Sequence, residues 1–128
     1  MAAISKGLAR FPGRAPIDAY GNGGFRFADM SHRGSLLCLP SGIYDWQPAK
    51  PDDVGLVDLA AVLAEADAIG FLLLGTGRQH LFPSAAVRQA FASAGVGLEP
   101  MSTGAACRTY NVMLAEGRPV AAALVAVD

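Results

Sequence analysis

Two short segments carry the residue types that could bind something. They are Gly75-Thr76-Gly77-Arg78 and the run Met101 to Asn111, which contains Ser102, Thr103, Gly104, Arg108 and Asn111. Glycines at 75 and 77 would let backbone N–H groups face outward without a Cβ in the way, as an anion-binding loop requires. Arg78 would add a fixed positive charge. A third glycine and a P-loop lysine are both missing, so the segment is no nucleotide fingerprint, and its plain reading is a tight turn. In the second segment, Gly104, Arg108 and Asn111 fall at i, i+4 and i+7 of a helix and so form one stripe. An Arg and an Asn beside a Gly make a groove that could take a carboxylate or a peptide backbone. The competing reading is internal: Arg108 pairs with one of the protein's own carboxylates and Asn111 satisfies loop carbonyls.

The other reactive residue types do not assemble into a catalyst. His32 and His80 are isolated, with no Cys, Asp or Ser at metal or triad spacing, and His80 reads as a surface loop residue. Asp52-Asp53 is most simply a helix-start signal. Cys38 and Cys107 stand far apart in apolar surroundings and read as two reduced core cysteines, not a disulfide or a zinc site. No catalytic residue, metal ligand or cofactor is assigned. Tyr44 and Trp46, with Pro48 beside them, read either as an aromatic anchor for a partner or as a lid over the core.

The chain of 128 residues has room for one domain. It is 52% hydrophobic and 16% charged, which suits a well-buried core and argues against disorder. A nucleic-acid binder would show a basic patch, whereas the 10 Lys and Arg residues here are scattered and the net charge is −1. No apolar run approaches the roughly 20 residues that span a bilayer; Ile69 to Leu74, for one, is strand-sized. Residues 1–14 read as a flexible basic tail, short for a transit peptide, and 15–128 as a single α/β domain.

The elements that must position the two segments can be read from rhythm. Ile17–Tyr20 and Phe25–Ala28 flank Gly21-Asn22-Gly23-Gly24, a strong hairpin signal. Met30 to Leu39 reads as a continuing strand stopped by Pro40-Ser41-Gly42, with a short segment Ile43 to Pro48 after it. From Leu56 to about Ala66 the spacing of Leu56, Leu59, Ala60 and Leu63 predicts a helix. Ser84 caps a second helix that ends at Gly95, and Ser102 or Thr103 caps a third that ends at Gly117. Strands at 69–74, 96–100 and 119–127 would form a parallel group through right-handed crossovers. The expected architecture is a three-layer β/β/α domain: N-terminal antiparallel strands packed on a mostly parallel sheet covered by helices. Both segments then begin where a parallel strand ends, the edge where such sheets usually bind ligands.

The combination of Asp18-Ala19-Tyr20-Gly21, Gly24-Phe25-Arg26-Phe27, Gly34-Ser35-Leu36-Leu37, Pro40, Trp46, Leu74-Gly75-Thr76-Gly77 and the Thr103 to Asn111 helix start resembles a family of small domains of unknown function. That family includes the mitochondrial complex I assembly factor 3 and an adipogenesis-associated cytoplasmic protein. The resemblance covers roughly residues 15–127. It implies a compact β/β/α fold and, in the mitochondrial branch, assembly of NADH dehydrogenase through protein contacts. The leading expectation is a non-enzymatic binding or assembly module whose partner is another protein, a respiratory complex subunit or a co-assembly factor. The alternative is a small-molecule or anion-binding protein, an enzyme included, using the groove between the two segments. The Ala/Gly-rich composition looks bacterial, hence a cytoplasmic protein there, or a mitochondrial one in a eukaryote. A homo-oligomer is left open.

Overall fold

Asn22 and Gly23 hold positive φ angles of 52° and 79°, and they set the first tight turn. The turn joins β1 (Ala19–Gly21) to β2 (Gly24–Phe27) with Gly21 opposite Gly24. A two-residue loop with both φ positive matches the right-handed twist of strands, and Asn-Gly adopts it with little strain. A second such loop, Ala28-Asp29 at φ 48° and 62°, leads into β3 (Met30–Arg33). These three strands form one antiparallel sheet in chain order. The structure is a computed structural model and describes residues 9–128.

The expected single strand from Met30 to Leu39 is divided. Gly34, at φ 96°, turns the chain out of the small sheet. Beyond it, β4 (Ser35–Leu39) and β5 (Gly42–Trp46) join a second sheet with β6 (Phe71–Gly75), β7 (Gly97–Met101) and β8 (Val120–Leu124). The order across this sheet is β5-β4-β8-β6-β7. Strands β8, β6 and β7 run parallel, as the crossovers imply, while β4 pairs antiparallel with both β5 and β8. The α/β class stands, and the large sheet is mixed, not mostly parallel.

Both faces of the large sheet are covered, as its apolar strands require. Leu72, Leu74, Ala121 and Ala123 face α1 (Ala60–Leu63) and α2 (Ala85–Ala94), which contributes Val87 and Phe91. Leu73, Ala122 and Leu124 face α3 (Thr103–Ala115) and Phe25 and Phe27 of the small sheet. The third helix therefore shares its side with the N-terminal strands, whereas α1 and α2 take the other. The short side chains of Ala121, Ala122 and Ala123 in the central strand let both layers come close. All three are fully buried.

Capping agrees closely with the sequence. Ser84 Oγ accepts from the Val87 N–H at 3.3 Å, and Gly95 closes α2 at φ 72°. Ser102 Oγ caps α3 by accepting from the Ala105 N–H. The predicted helix over 56–66 is shorter. Leu56–Leu59 and Ala66–Ala68 are 3-10 turns around α1. A 3-10 turn advances about 120° per residue, so the predicted α-helical stripe is broken and Leu56 is left exposed. The expected tail is partly docked. The Arg10 N–H donates to the Ile43 carbonyl, the Ile43 N–H donates to the Phe11 carbonyl, and Arg14 reaches the Val120 carbonyl. Residues 1–8 of that expectation lie outside the described residues.

Candidate functional site

Parallel pairing sets Gly75 of β6 against Met101 of β7, so the two segments start side by side at one rim of the sheet. There they are laced together. The Thr76 N–H donates to the Met101 carbonyl at 2.8 Å, and the Thr103 N–H donates to the Gly77 carbonyl at 2.7 Å. The Thr103 hydroxyl accepts from the Gly77 N–H at 2.9 Å and donates to the Val125 carbonyl at 2.6 Å. One fully buried side chain thus joins the loop after β6, the start of α3 and the residue after β8. The Thr76 hydroxyl accepts from the Leu81 N–H and lies within donating reach of the Gln79 and Met101 carbonyls, which holds the loop after β6.

The glycines have packing reasons. A Cβ on Gly75 would come within 3.1 Å of the Thr103 Cα and of Leu124. Gly77 sits at φ 89°, a conformation other residues rarely adopt. A Cβ on Gly104 would collide with the Tyr20 hydroxyl, so the phenol of β1 lies directly on the first turn of α3. The N–H groups of Thr76 and Gly77 are therefore taken up within the protein and do not face outward.

Among the polar side chains of the stripe, Asn111 makes a two-pronged clamp on the Ile17 main chain. Its Oδ1 accepts from the Ile17 N–H and its Nδ2 donates to the Ile17 carbonyl, both at 2.8 Å. This is the internal use weighed for it from sequence. Arg108 is exposed beside Gly104, and among the described residues its guanidinium makes no hydrogen bond or ion pair. Arg78 is also exposed and donates to the Asp128 carbonyl at 2.8 Å. Two expected contact residues need correction. Tyr44 and Trp46 are only 6% and 5% exposed and belong to the core facing α1 and α2. Trp46 Nε1 donates to the Asp58 carbonyl at 2.8 Å, and the Tyr44 hydroxyl lies 2.6 Å from Ser41 Oγ. They form the lid of the alternative reading, because rings this large on an inward-facing strand find more apolar area inside than out.

One polar cluster is not apparent from sequence. His32 is buried, with Nε2 3.0 Å from the Ser35 carbonyl and 3.3 Å from Asp45 Oδ1. Ser35 Oγ donates elsewhere, to the Pro48 carbonyl at 2.6 Å, and accepts from the Ala126 N–H. The histidine meets the serine's backbone, so Ser, His and Asp converge here without a nucleophile–base bond. They tie the small sheet to the large one. The pairing of His32 with Phe25 was the available signal, since it puts both on the inner face. Cys38 of β4 and Cys107 of α3 are both free and buried in the core that α3 shares with the large sheet. Burial pushes the Cys38 thiol well up, with Cys107 adding to the effect, and pushes the Cys107 thiol to about 12. Among the described residues no cluster of His, Cys, Asp and Glu is arranged to hold a metal. No helix among them is long and apolar enough to cross a membrane.

Residues 17–125 match the family described as a protein of unknown function, DUF498/DUF598. A protein of Rhodobacter capsulatus is 42% identical over 115 residues, which cover 90% of this chain and 87% of that one. The mouse NADH dehydrogenase [ubiquinone] 1 alpha subcomplex assembly factor 3 is 29% identical over 124 residues, covering 95% of this chain and 66% of the relative, so the chain spans about two thirds of its length. A crystal structure of a Bartonella henselae protein, described as an outer membrane protein, superposes with a TM-score of 0.90 at 55% identity, covering 93% of this chain and all of that one. The match across 17–125 takes in most of the chain, and this chain belongs to the DUF498/DUF598 family.

Proposed function

We propose that this chain is a non-enzymatic binding module that assists the assembly of NADH dehydrogenase through contacts with another protein, a subunit of the complex or a co-assembly factor. The observation that carries the reading is its similarity, over 95% of its length, to an NADH dehydrogenase assembly factor. The rim agrees with this use. Its backbone donors are engaged internally, which weighs against a backbone cradle for an anion, and Arg78 and Arg108 are exposed, Arg108 beside Gly104. Exposed guanidinium groups on a rigid base suit a protein contact. The test is deletion of the gene in its host, followed by native electrophoresis of the respiratory complexes. Accumulated subassemblies, cured by the intact gene, are expected. A full complement of assembled NADH dehydrogenase in the deletion strain overturns the proposal.

A further inference from the structure

The outer face of the small sheet has an arrangement that the rim does not explain. Side chains alternate across a strand, so burial of Phe25 and His32 on the inner face places Arg26, Ser31 and Arg33 on the outer one. The register sets Arg26 opposite Ser31 and Arg33 opposite Gly24, so the two arginines are diagonal neighbours. Arg26 Nη1 lies 3.3 Å from Ser31 Oγ. Arg33 Nη1 lies over the tight turn, 3.7 Å from where a Cβ on Gly23 would sit. The position between them is glycine, Gly24, which is itself buried. A Cβ on Gly24 would collide with the His32 carbonyl oxygen, so this position cannot carry a side chain. The result is a half-open cavity of about 350 Å³, lined in part by Gly21, Asn22, Gly24, Arg26, Ser31 and Arg33. Among the described residues neither guanidinium has a carboxylate partner.

We propose that this face is a docking groove for an acidic segment of a protein partner, with carboxylates held by Arg26 and Arg33. The inference rests on the protein-binding reading of this chain and names the chemistry of the partner. Diagonal positions on neighbouring strands lie about 7–8 Å apart. Same-face side chains of an extended peptide repeat about every 6.8 Å, two residues at about 3.4 Å each. An acid-x-acid segment laid along the groove therefore repeats its carboxylates at about the spacing of the two arginine positions. The planar fork of arginine matches a carboxylate in two parallel hydrogen bonds.

The experiment is an amide NMR titration of the full chain with the acetylated, amidated peptide Ser-Glu-Ser-Glu-Ser, its Gln-for-Glu counterpart, succinate and inorganic phosphate. The acidic peptide is expected to shift the amides of Gly21, Gly24, Ser31 and Arg33, and the glutamine peptide to shift none of them. Arg26→Gln and Arg33→Gln should each weaken binding roughly fivefold, as for exposed ion pairs, whereas Arg88→Gln, exposed on α2, should leave it unchanged. Equal binding of the glutamine peptide, or undiminished binding by the Arg26→Gln/Arg33→Gln double variant, overturns the groove. So does a footprint produced by phosphate or succinate but not by the acidic peptide, which would make this a small-anion site. Peptide binding at the groove combined with normal NADH dehydrogenase assembly in the deletion strain would sink the assembly role and leave the groove standing. The opposite pair of results would do the reverse.

Discussion

Replacing Thr103 by valine removes one hydroxyl and keeps the shape of the side chain almost unchanged. In the folded protein that hydroxyl accepts from the Gly77 N–H and donates to the Val125 carbonyl, and Thr103 is fully buried. Both partners would be stranded away from water. A buried polar group left unsatisfied costs about 1–3 kcal/mol, so two of them should destabilise the protein by about 3 kcal/mol after partial relaxation. Domains of this kind have a total stability of about 5–15 kcal/mol, so the loss is large. With an unfolding entropy of about 2.1 cal/mol/K per residue, the melting temperature should fall by about 10 °C. Thr103→Ser keeps both hydrogen bonds and loses one methyl group, worth about 1 kcal/mol. Urea denaturation of the wild type and both variants measures the difference, with the m-value expected to stay constant. A valine variant within about 0.5 kcal/mol of wild type would refute this role of the Thr103 hydroxyl, as would a serine variant as unstable as the valine.

The same geometry sets three more outcomes. Asn111→Ala should cost about 2 kcal/mol and speed hydrogen exchange at the Ile17 amide, because both groups of the Ile17 main chain lose their partner. Gly24→Ala should cost more than about 2 kcal/mol in urea denaturation, since the new methyl meets the His32 carbonyl, a backbone atom that cannot swing aside. Native protein should resist a thiol reagent at pH 8 until urea unfolds it, and stability should decline at high pH. Cys107 ionises at about 12 when folded against 9.0 ordinarily, and the Cys38 thiol and Tyr110 hydroxyl are raised too. Above pH 9 the unfolded chain therefore holds fewer protons than the folded one. The contribution is fully present below pH 9 and is lost as pH rises toward 12, which urea midpoints between pH 7 and 11 will read.

Local chemistry made some of this fold legible. Asn22-Gly23 specified its turn because few dipeptides accept two positive φ angles. Ser84 and Gly95 bounded α2 because caps act within a few residues. The parallel trio β6, β7 and β8 was readable from apolar runs separated by helices. The features that stayed hidden depended on distant partners. Gly34 looked like one more residue of a strand, and only the existence of two sheets explains why the chain turns there. The side taken by α3, which it shares with the small sheet, depends on packing between elements far apart in the chain. The clamp of Asn111 on Ile17 spans 94 residues, and no spacing rule reaches that far. Trp46 could be read inward or outward until the Asp58 carbonyl that receives its N–H was located. The adjacency of the two rim segments was readable from parallel pairing. The zipping of their backbone groups through Thr103 was not, because a threonine at a helix start ordinarily caps its own helix.

The assembly role and the acidic groove meet in one measurement: NADH oxidation and native-gel abundance of NADH dehydrogenase in the deletion strain, complemented with the wild-type gene or with the Arg26→Gln/Arg33→Gln double variant at matched protein levels. The wild-type gene should restore assembled complex, and the double variant should leave subassemblies behind. Assembly that is complete without the gene contradicts the proposed function, and rescue by the double variant equal to wild type contradicts the groove.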